Sequence, residues 1–225
     1  MNPKRVTLFA GHYGSGKTNI AVNFALWLRK RYERVLIADL DIVNPYFRTK
    51  DSEEILGRAG VRVLSQQFAN SNVDLPALPQ EMYSITDDKA YHAVADIGGD
   101  DRGAYALGRY APARRREKDF DMLFVANFYR PLTRCAADAY QVMREIEAAC
   151  GMPFTGIVNN SNIGGETSPE DVLNSLRPAK ELCALSGLEL RFTSVREDLA
   201  PSLSGEIGDI FPIELQKKYY DIKEG

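Results

Sequence analysis

A chain of 225 residues, 44% hydrophobic and 26% charged, has the balance of a globular protein with ample core, enough for one large α/β domain or two small ones. A formal net charge of −3 gives no overall bias toward nucleic acid or anionic lipid. Cys135, Cys150 and Cys183 stand far apart with no C-x-x-C, which argues against a zinc or iron–sulfur site within one chain and fits a reducing, cytoplasmic setting.

Met1-Asn2-Pro3-Lys4-Arg5 runs straight into an apolar run, so no signal peptide is expected, and no segment is apolar for long enough to span a bilayer. Residues 5–10 read as a buried strand. Gly11-His12-Tyr13-Gly14-Ser15-Gly16-Lys17-Thr18 follows, and then Ile20, Ala21, Phe24, Trp27 and Leu28 recur at helical spacing. That helix is expected from Lys17 to Arg31. Strand, glycine loop, helix with the spacing G-x-x-x-x-G-K-T is the phosphate-binding loop of nucleoside triphosphatases.

The chemistry asks for these residue types. A triphosphate wrapped by main-chain N–H groups needs close backbone approach, which Gly11, Gly14 and Gly16 permit around Ser15. The helix N-terminus offers unpaired N–H groups and the positive end of its dipole. Lys17 can reach the β and γ phosphates, and Thr18 can place a hydroxyl on Mg²⁺.

Val35-Leu36-Ile37-Ala38 is a continuous apolar run, as in a parallel strand covered on both faces, and it ends in Asp39-Leu40-Asp41. Asn44-Pro45 signals a turn, Ser52 to Gly57 a short capped helix, and the alternating Val61-Arg62-Val63-Leu64 a strand nearer an edge. Phe68 to Pro79 reads as a long loop, followed by a short helix through Glu81-Met82-Tyr83. Tyr91 to Ala95 is the next strand, ending in Asp96-Ile97-Gly98-Gly99. Arg102 to Tyr110 reads as helical and Met122 to Ala126 as a strand. Pro131 to Cys150 is expected as one long helix with Pro131 in its first turn. Phe154 to Val158 is a strand ending in Asn159-Asn160. Ser168-Pro169-Glu170-Asp171 starts a helix that should run to Ser186 before Gly187. Leu188 to Thr193 reads as the last strand and Ile210 to Ile222 as a closing helix.

Strands alternating with helices predict a doubly wound, mostly parallel α/β sheet flanked by helices, with residues 1–225 as a single nucleotide-binding domain. In such sheets ligands bind beyond the carboxyl ends of the strands, and the polar groups fall there. Asp96, closing an apolar strand before glycines, matches the carboxylate that holds a Mg²⁺ shell, and Gly98 or Gly99 could bring a backbone N–H to the γ-phosphate. Of the next pair, Asp41 is expected to position the attacking water and Asp39 to support Mg²⁺ or the loop. Asn159 is expected near the base, where an amide can pair with adenine. The run Asn159-Asn160-Ser161-Asn162 lacks the carboxylate with which guanine readers end, so ATP is favoured over GTP.

At Gly11–Thr18, Asp39-x-Asp41, Asp96-Ile97-Gly98-Gly99 and Ile157-Val158-Asn159 the chain resembles the ParA/MinD-like ATPases of the SIMIBI group of P-loop proteins. The resemblance implies a single parallel-sheet domain, MgATP binding, slow hydrolysis and a dimer with nucleotide at the interface. The family usually has a lysine after the first glycine that contacts the opposite subunit's nucleotide; here that position is His12, which reads as a packed loop side chain, with a contact to phosphate as the alternative. Arg48, Arg102 and Arg109 are the candidates to replace the missing charge.

The expected partners are a second copy of the chain and a further, unidentified protein. Arg114-Arg115-Arg116 reads as a solvated face, not a nucleic-acid contact, and the segment Ile210 to Tyr220, with two lysines interrupted by Glu214, as core and not a membrane-surface helix. A slow Mg²⁺-dependent ATPase acting as a dimer switch is the first functional reading. A non-hydrolysing ATP-bound adaptor and an ATP-dependent small-molecule kinase or ligase are the alternatives, the last with an acceptor pocket from Phe68–Pro79 and Tyr105–Tyr110.

Overall fold

The computed structural model describes residues 1–40, 53–65, 84–98 and 119–216. Eight strands form one parallel sheet: β1 (Val6–Ala10), β2 (Val35–Leu40), β3 (Arg62–Ser65), β4 (His92–Ile97), β5 (Phe120–Ala126), β6 (Gly156–Asn159), β7 (Leu190–Arg196) and β8 (Ile210–Ile213). Their order is β3-β2-β4-β1-β5-β6-β7-β8. The apolar runs of β1, β2 and β5 are buried along their whole length, because helices cover both faces of the sheet.

Six helices are described: α1 (Lys17–Arg29), α2 (Glu53–Arg58), α3 (Ser84–Asp87), α4 (Ala136–Cys150), α5 (Pro169–Ser186) and α6 (Ala200–Leu203). Helix α1 buries Ile20, Ala21, Phe24 and Leu28, together with Leu56 of α2, against Phe9, Ile37, Val94 and Val125 on one face. On the other face Ile85 of α3, Ala139 and Met143 of α4, and Ala179 and Leu182 of α5 cover Leu8, Leu36, Ala95 and Phe124.

Phe24 is the hub of the first layer. Its ring meets Phe9 edge-on at 5.2 Å and stacks near Trp27 and Phe192, with Phe211 at 6.0 Å. One side chain of α1 therefore ties β1, β7 and β8 together. Asn23, one residue earlier, accepts from Glu214 N and donates to Glu214 O, both at 2.9 Å, and Asn19 accepts from Gln216 N.

The structure corrects three expectations. The long helix from Pro131 is broken: Pro131–Thr133 make a 3₁₀ turn, and α4 starts afresh at Ala136 with the Cys135 thiol accepting from Asp138 N. Ile210–Ile213 is a strand, not the start of a helix, and β7 is not the last strand. Phe211 and Ile213 are buried while Pro212 between them is exposed, a period of two that helical reading overlooked. Pro212 is tolerable because β8 is the edge among the described strands, where a missing N–H leaves no ladder bond unmade. Among the described residues β3 stands at the edge of the sheet, as expected. The helix start at Ser168 holds as well, as a capping box with Asp171, and Gly187 in the left-handed region (φ 71°) ends that helix.

Candidate nucleotide site

Strand β1 lies in the middle of the sheet, so the loop that leaves it opens at the centre of the carboxyl edge. Gly11 packs so tightly that a Cβ there would lie 2.5 Å from the Val125 carbonyl oxygen of β5. Gly14 (φ 76°) and Gly16 (φ 84°) hold left-handed backbone, which only glycine adopts cheaply. Ser15 N donates to His12 O, and Ile20 N donates to Gly16 O as α1 begins. No side chain caps α1 and its first turn has no acid, so the positive end of the helix is left for an external anion. Ser15 Oγ is buried without a hydrogen-bond partner among the described residues.

Lys17 is 6% exposed, and its Nζ reaches back across the loop to donate to His12 O at 3.3 Å. An ammonium held over a ring of glycine main chain is a binding element for phosphate. His12 keeps to its own loop, with Nδ1 2.8 Å from the Tyr13 carbonyl oxygen.

Thr18 Oγ1 donates to Asp96 Oδ2 at 2.5 Å. Asp96 is fully buried and Asp39 nearly so. The two carboxylates stand opposite each other in the parallel register of β4 and β2, which puts both on the α1 face of the sheet. One hydroxyl and two buried carboxylates beside a phosphate loop are hard oxygen donors. That set fits Mg²⁺, which takes one or two carboxylates and fills its shell with water and phosphate oxygen.

Asn159 behaves differently from the expectation. It closes β6 as foreseen, but it is fully buried. Its Nδ2 donates to Ser175 Oγ at 2.8 Å, and its Oδ1 accepts from Ser161 N and Ser161 Oγ. The amide fastens α5 and the loop after β6, and this geometry does not support a base-reading role. Its neighbour Asn160 is the residue that reaches the phosphate loop. Asn160 Nδ2 donates to Ser15 O at 2.6 Å, and Asn160 Oδ1 accepts from Ser194 Oγ and Asn162 Nδ2.

One residue beside the loop went unforeseen. Arg130, just past β5, donates from Nε to Gly14 O at 2.8 Å. The only sequence sign of it was a base directly before Pro131 at a strand end. Asp41, Gly99, Arg48, Arg102, Arg109, Arg114–Arg116, Phe68–Pro79 and Tyr105–Tyr110 lie outside the described residues.

Farther along the same edge, the Arg196 guanidinium forks onto Asp198 at 2.5 and 2.8 Å and also donates to Gly165 O. Its hydrogen bonds hold the Asp198 carboxyl below the usual carboxylate range, and bonds from Ser168 do the same for Asp171. A cleft of about 500 Å³ between the ends of β7 and β8 is lined by Arg196, Glu197, Asp198, Ile213, Glu214 and Leu215. It lies three strands from β1 and is separate from the phosphate loop.

No protein-family model matches the chain, and a search of curated proteins finds no match. Among solved structures it is similar to the signal recognition particle receptor FtsY of Elizabethkingia anophelis in complex with GDP: TM-score 0.50, 14% identity, 87% of this chain and 58% of that one. A second structure of that receptor gives TM-score 0.50 and 13% identity, covering 85% of this chain and 59% of that one. The cell division protein ftsY of Thermotoga maritima gives TM-score 0.52 and 15% identity, with 86% and 62% covered. The chain thus spans about three fifths of the length of these structures. At such identities the likeness is one of fold. The fold is that of a P-loop nucleoside triphosphatase, a parallel α/β sheet flanked by helices.

Proposed function

We propose that this chain is a slow, Mg²⁺-dependent ATPase that works as a nucleotide-driven dimer switch or assembly factor for another protein. The observation that carries the reading is the Thr18–Asp96 contact beside the uncapped start of α1, with Lys17 held over the loop. Main-chain N–H groups from Gly14 to Thr18 would hold the phosphates, and Lys17 would neutralise them. Thr18 and Asp96, with Asp39 behind them, would hold Mg²⁺, which supplies charge neutralisation at the β and γ phosphates. Asp41 is assigned to orient the attacking water. On this reading Lys17 and Asp41 are the catalytic pair.

The GDP in the FtsY structure favours a second reading, a guanine nucleotide. Against it, a guanine reader needs a carboxylate free to accept from the base. Among the described residues at this edge, Asp171 is engaged by Ser168 and Asp198 by Arg196, while Glu197 lines the separate cleft between β7 and β8.

Titration calorimetry with ATP and GTP, phosphate release, and light scattering with and without nucleotide test the proposal together. The expected result is ATP affinity lost in Lys17→Ala, turnover lost in Asp41→Ala, and a dimer that forms only with ATP. Tighter binding of GTP replaces the nucleotide, and a mass unmoved by ATP removes the switch. Tight ATP binding with no phosphate release in any condition favours the adaptor.

A further inference from the structure

We propose that Arg130 is a phosphate-binding residue of this site, reading the terminal phosphate of a nucleoside triphosphate from within the same chain. The inference rests on the nucleotide reading above and adds to it a cation that the sequence motifs do not contain. Arg130 stands on a built loop. Tyr129 N donates to Asn127 Oδ1, Arg130 N to Asn127 O, and Thr133 Oγ1 to Asn127 O at 2.6 Å. Pro131 then fixes the backbone that follows.

From this base the side chain crosses to the phosphate loop. A Cβ on Gly14 would lie 3.7 Å from Arg130 Nε, and Nε itself is bonded to Gly14 O. That bond uses one of the five guanidinium donors and fixes the plane of the group. Among the described residues, the two terminal nitrogens have no acceptor and no carboxylate pairs with Arg130. Arg191 and Arg196, by contrast, are both paired with aspartates. A guanidinium anchored by its inner nitrogen, with its fork left over, is set to take an anion in two-pronged fashion. The polyanion this loop suits would lie beside it, where Lys17 is otherwise the loop's only ammonium. Gly14 is the fourth residue of the motif, on the part of the loop that precedes Lys17, the side chain assigned to the β and γ phosphates.

The rival role is a plain buttress, with Arg130 holding Gly14 and touching no ligand. The two roles differ in what they do to triphosphate against diphosphate. Dissociation constants for ATP and ADP, and for GTP and GDP, are measured on the whole chain and on Arg130→Ala, Arg130→Lys and Arg134→Ala, each checked for thermal unfolding. The expected result is an ATP affinity lower by about 10–100-fold in Arg130→Ala, with ADP changed by less than about 3-fold. Arg130→Lys should recover part of the difference, since it keeps the charge and loses the fork. Arg134→Ala, the same charge removed four residues on from an exposed side chain, should leave the ratio as it was. Equal losses for triphosphate and diphosphate, or none, overturn the assignment and leave a buttress. If the folded wild type binds no nucleotide at all, the site reading falls and this one with it.

Discussion

Thr18 and Asp96, 78 positions apart, meet through a 2.5 Å hydrogen bond from Oγ1 to Oδ2, one at the start of α1 and the other at the end of β4. The bond draws the helix that carries the loop onto the strand that carries the carboxylate. A cation held there binds both elements at once. Wild-type affinity for nucleotide should therefore fall when Mg²⁺ is chelated. Asp96→Asn and Thr18→Ala should each lose about 10–100-fold in the presence of Mg²⁺. Neither should respond much to chelation. Titration calorimetry in magnesium and in EDTA checks this, and a variant as magnesium-dependent as the wild type would show that the pair holds no metal.

Gly16 is constrained twice. Its backbone is left-handed, and a Cβ there would sit 2.3 Å from Asn160 Nδ2. The Asn160 amide can move, but the backbone strain of about 1–2 kcal/mol stays. Gly16→Ala should lose nucleotide affinity, and adding Asn160→Ala should not restore it. Asn160→Ala alone should destabilise the fold by about 1–3 kcal/mol, because it strips a buried bond from Ser15 O. Denaturant melts alongside binding assays separate the two, and restored binding in the double variant would count against the strain account.

Phe24 is 1% exposed at the junction of Phe9, Trp27, Phe192 and Phe211. Phe24→Ala should cost about 3–5 kcal/mol by urea unfolding. A loss below about 1 kcal/mol would mean that the cluster repacks and does not hold α1 to the sheet.

His92 stacks on Tyr32 with ring centroids 3.6 Å apart. Burial is the main cause that pushes its pKa down, opposed by the charge of Asp119 and aided by that of Arg5. The folded state thus binds the proton less readily than the unfolded chain. Stability should be full above the ordinary histidine value and decline as pH falls through it toward the folded one. His92→Phe keeps a ring on Tyr32 and removes the titration. Its melting temperature should fall less between pH 7.5 and 5.5. Parallel pH profiles for the two proteins would remove His92 from the acid response.

The pattern of buried strands and the phosphate loop were legible because both are local. A continuous apolar run names a covered parallel strand, and G-x-x-x-x-G-K-T names a backbone shape. Asp39 and Asp96 could be paired by rule, since each ends a strand and strand ends gather at one edge. Asn160 and Arg130 could not, because their partners, Ser15 and Gly14, are 145 and 116 positions away and are bound through carbonyls that carry no side-chain signature. A strand-end amide such as Asn159 looks the same in sequence whether it faces a ligand or, as in this structure, is bonded to Ser175. The helix from Pro131 failed at Thr133, whose hydroxyl turns to Asn127 O, and the one expected over Ile210–Ile222 failed at its start, where the alternation of Phe211, Pro212 and Ile213 belongs to a strand.

Pro212 has a further consequence. The carbonyls of Asp209 and Ile213 accept from Thr193 and Glu197, so the alternate position, Pro212, turns its nitrogen away from β7. That nitrogen has no hydrogen to offer, and a ninth strand arriving from any other polypeptide would find the ladder interrupted at its midpoint. Among the described residues β8 closes this flank of the sheet, and one imino acid there disfavours its growth by edge-to-edge stacking.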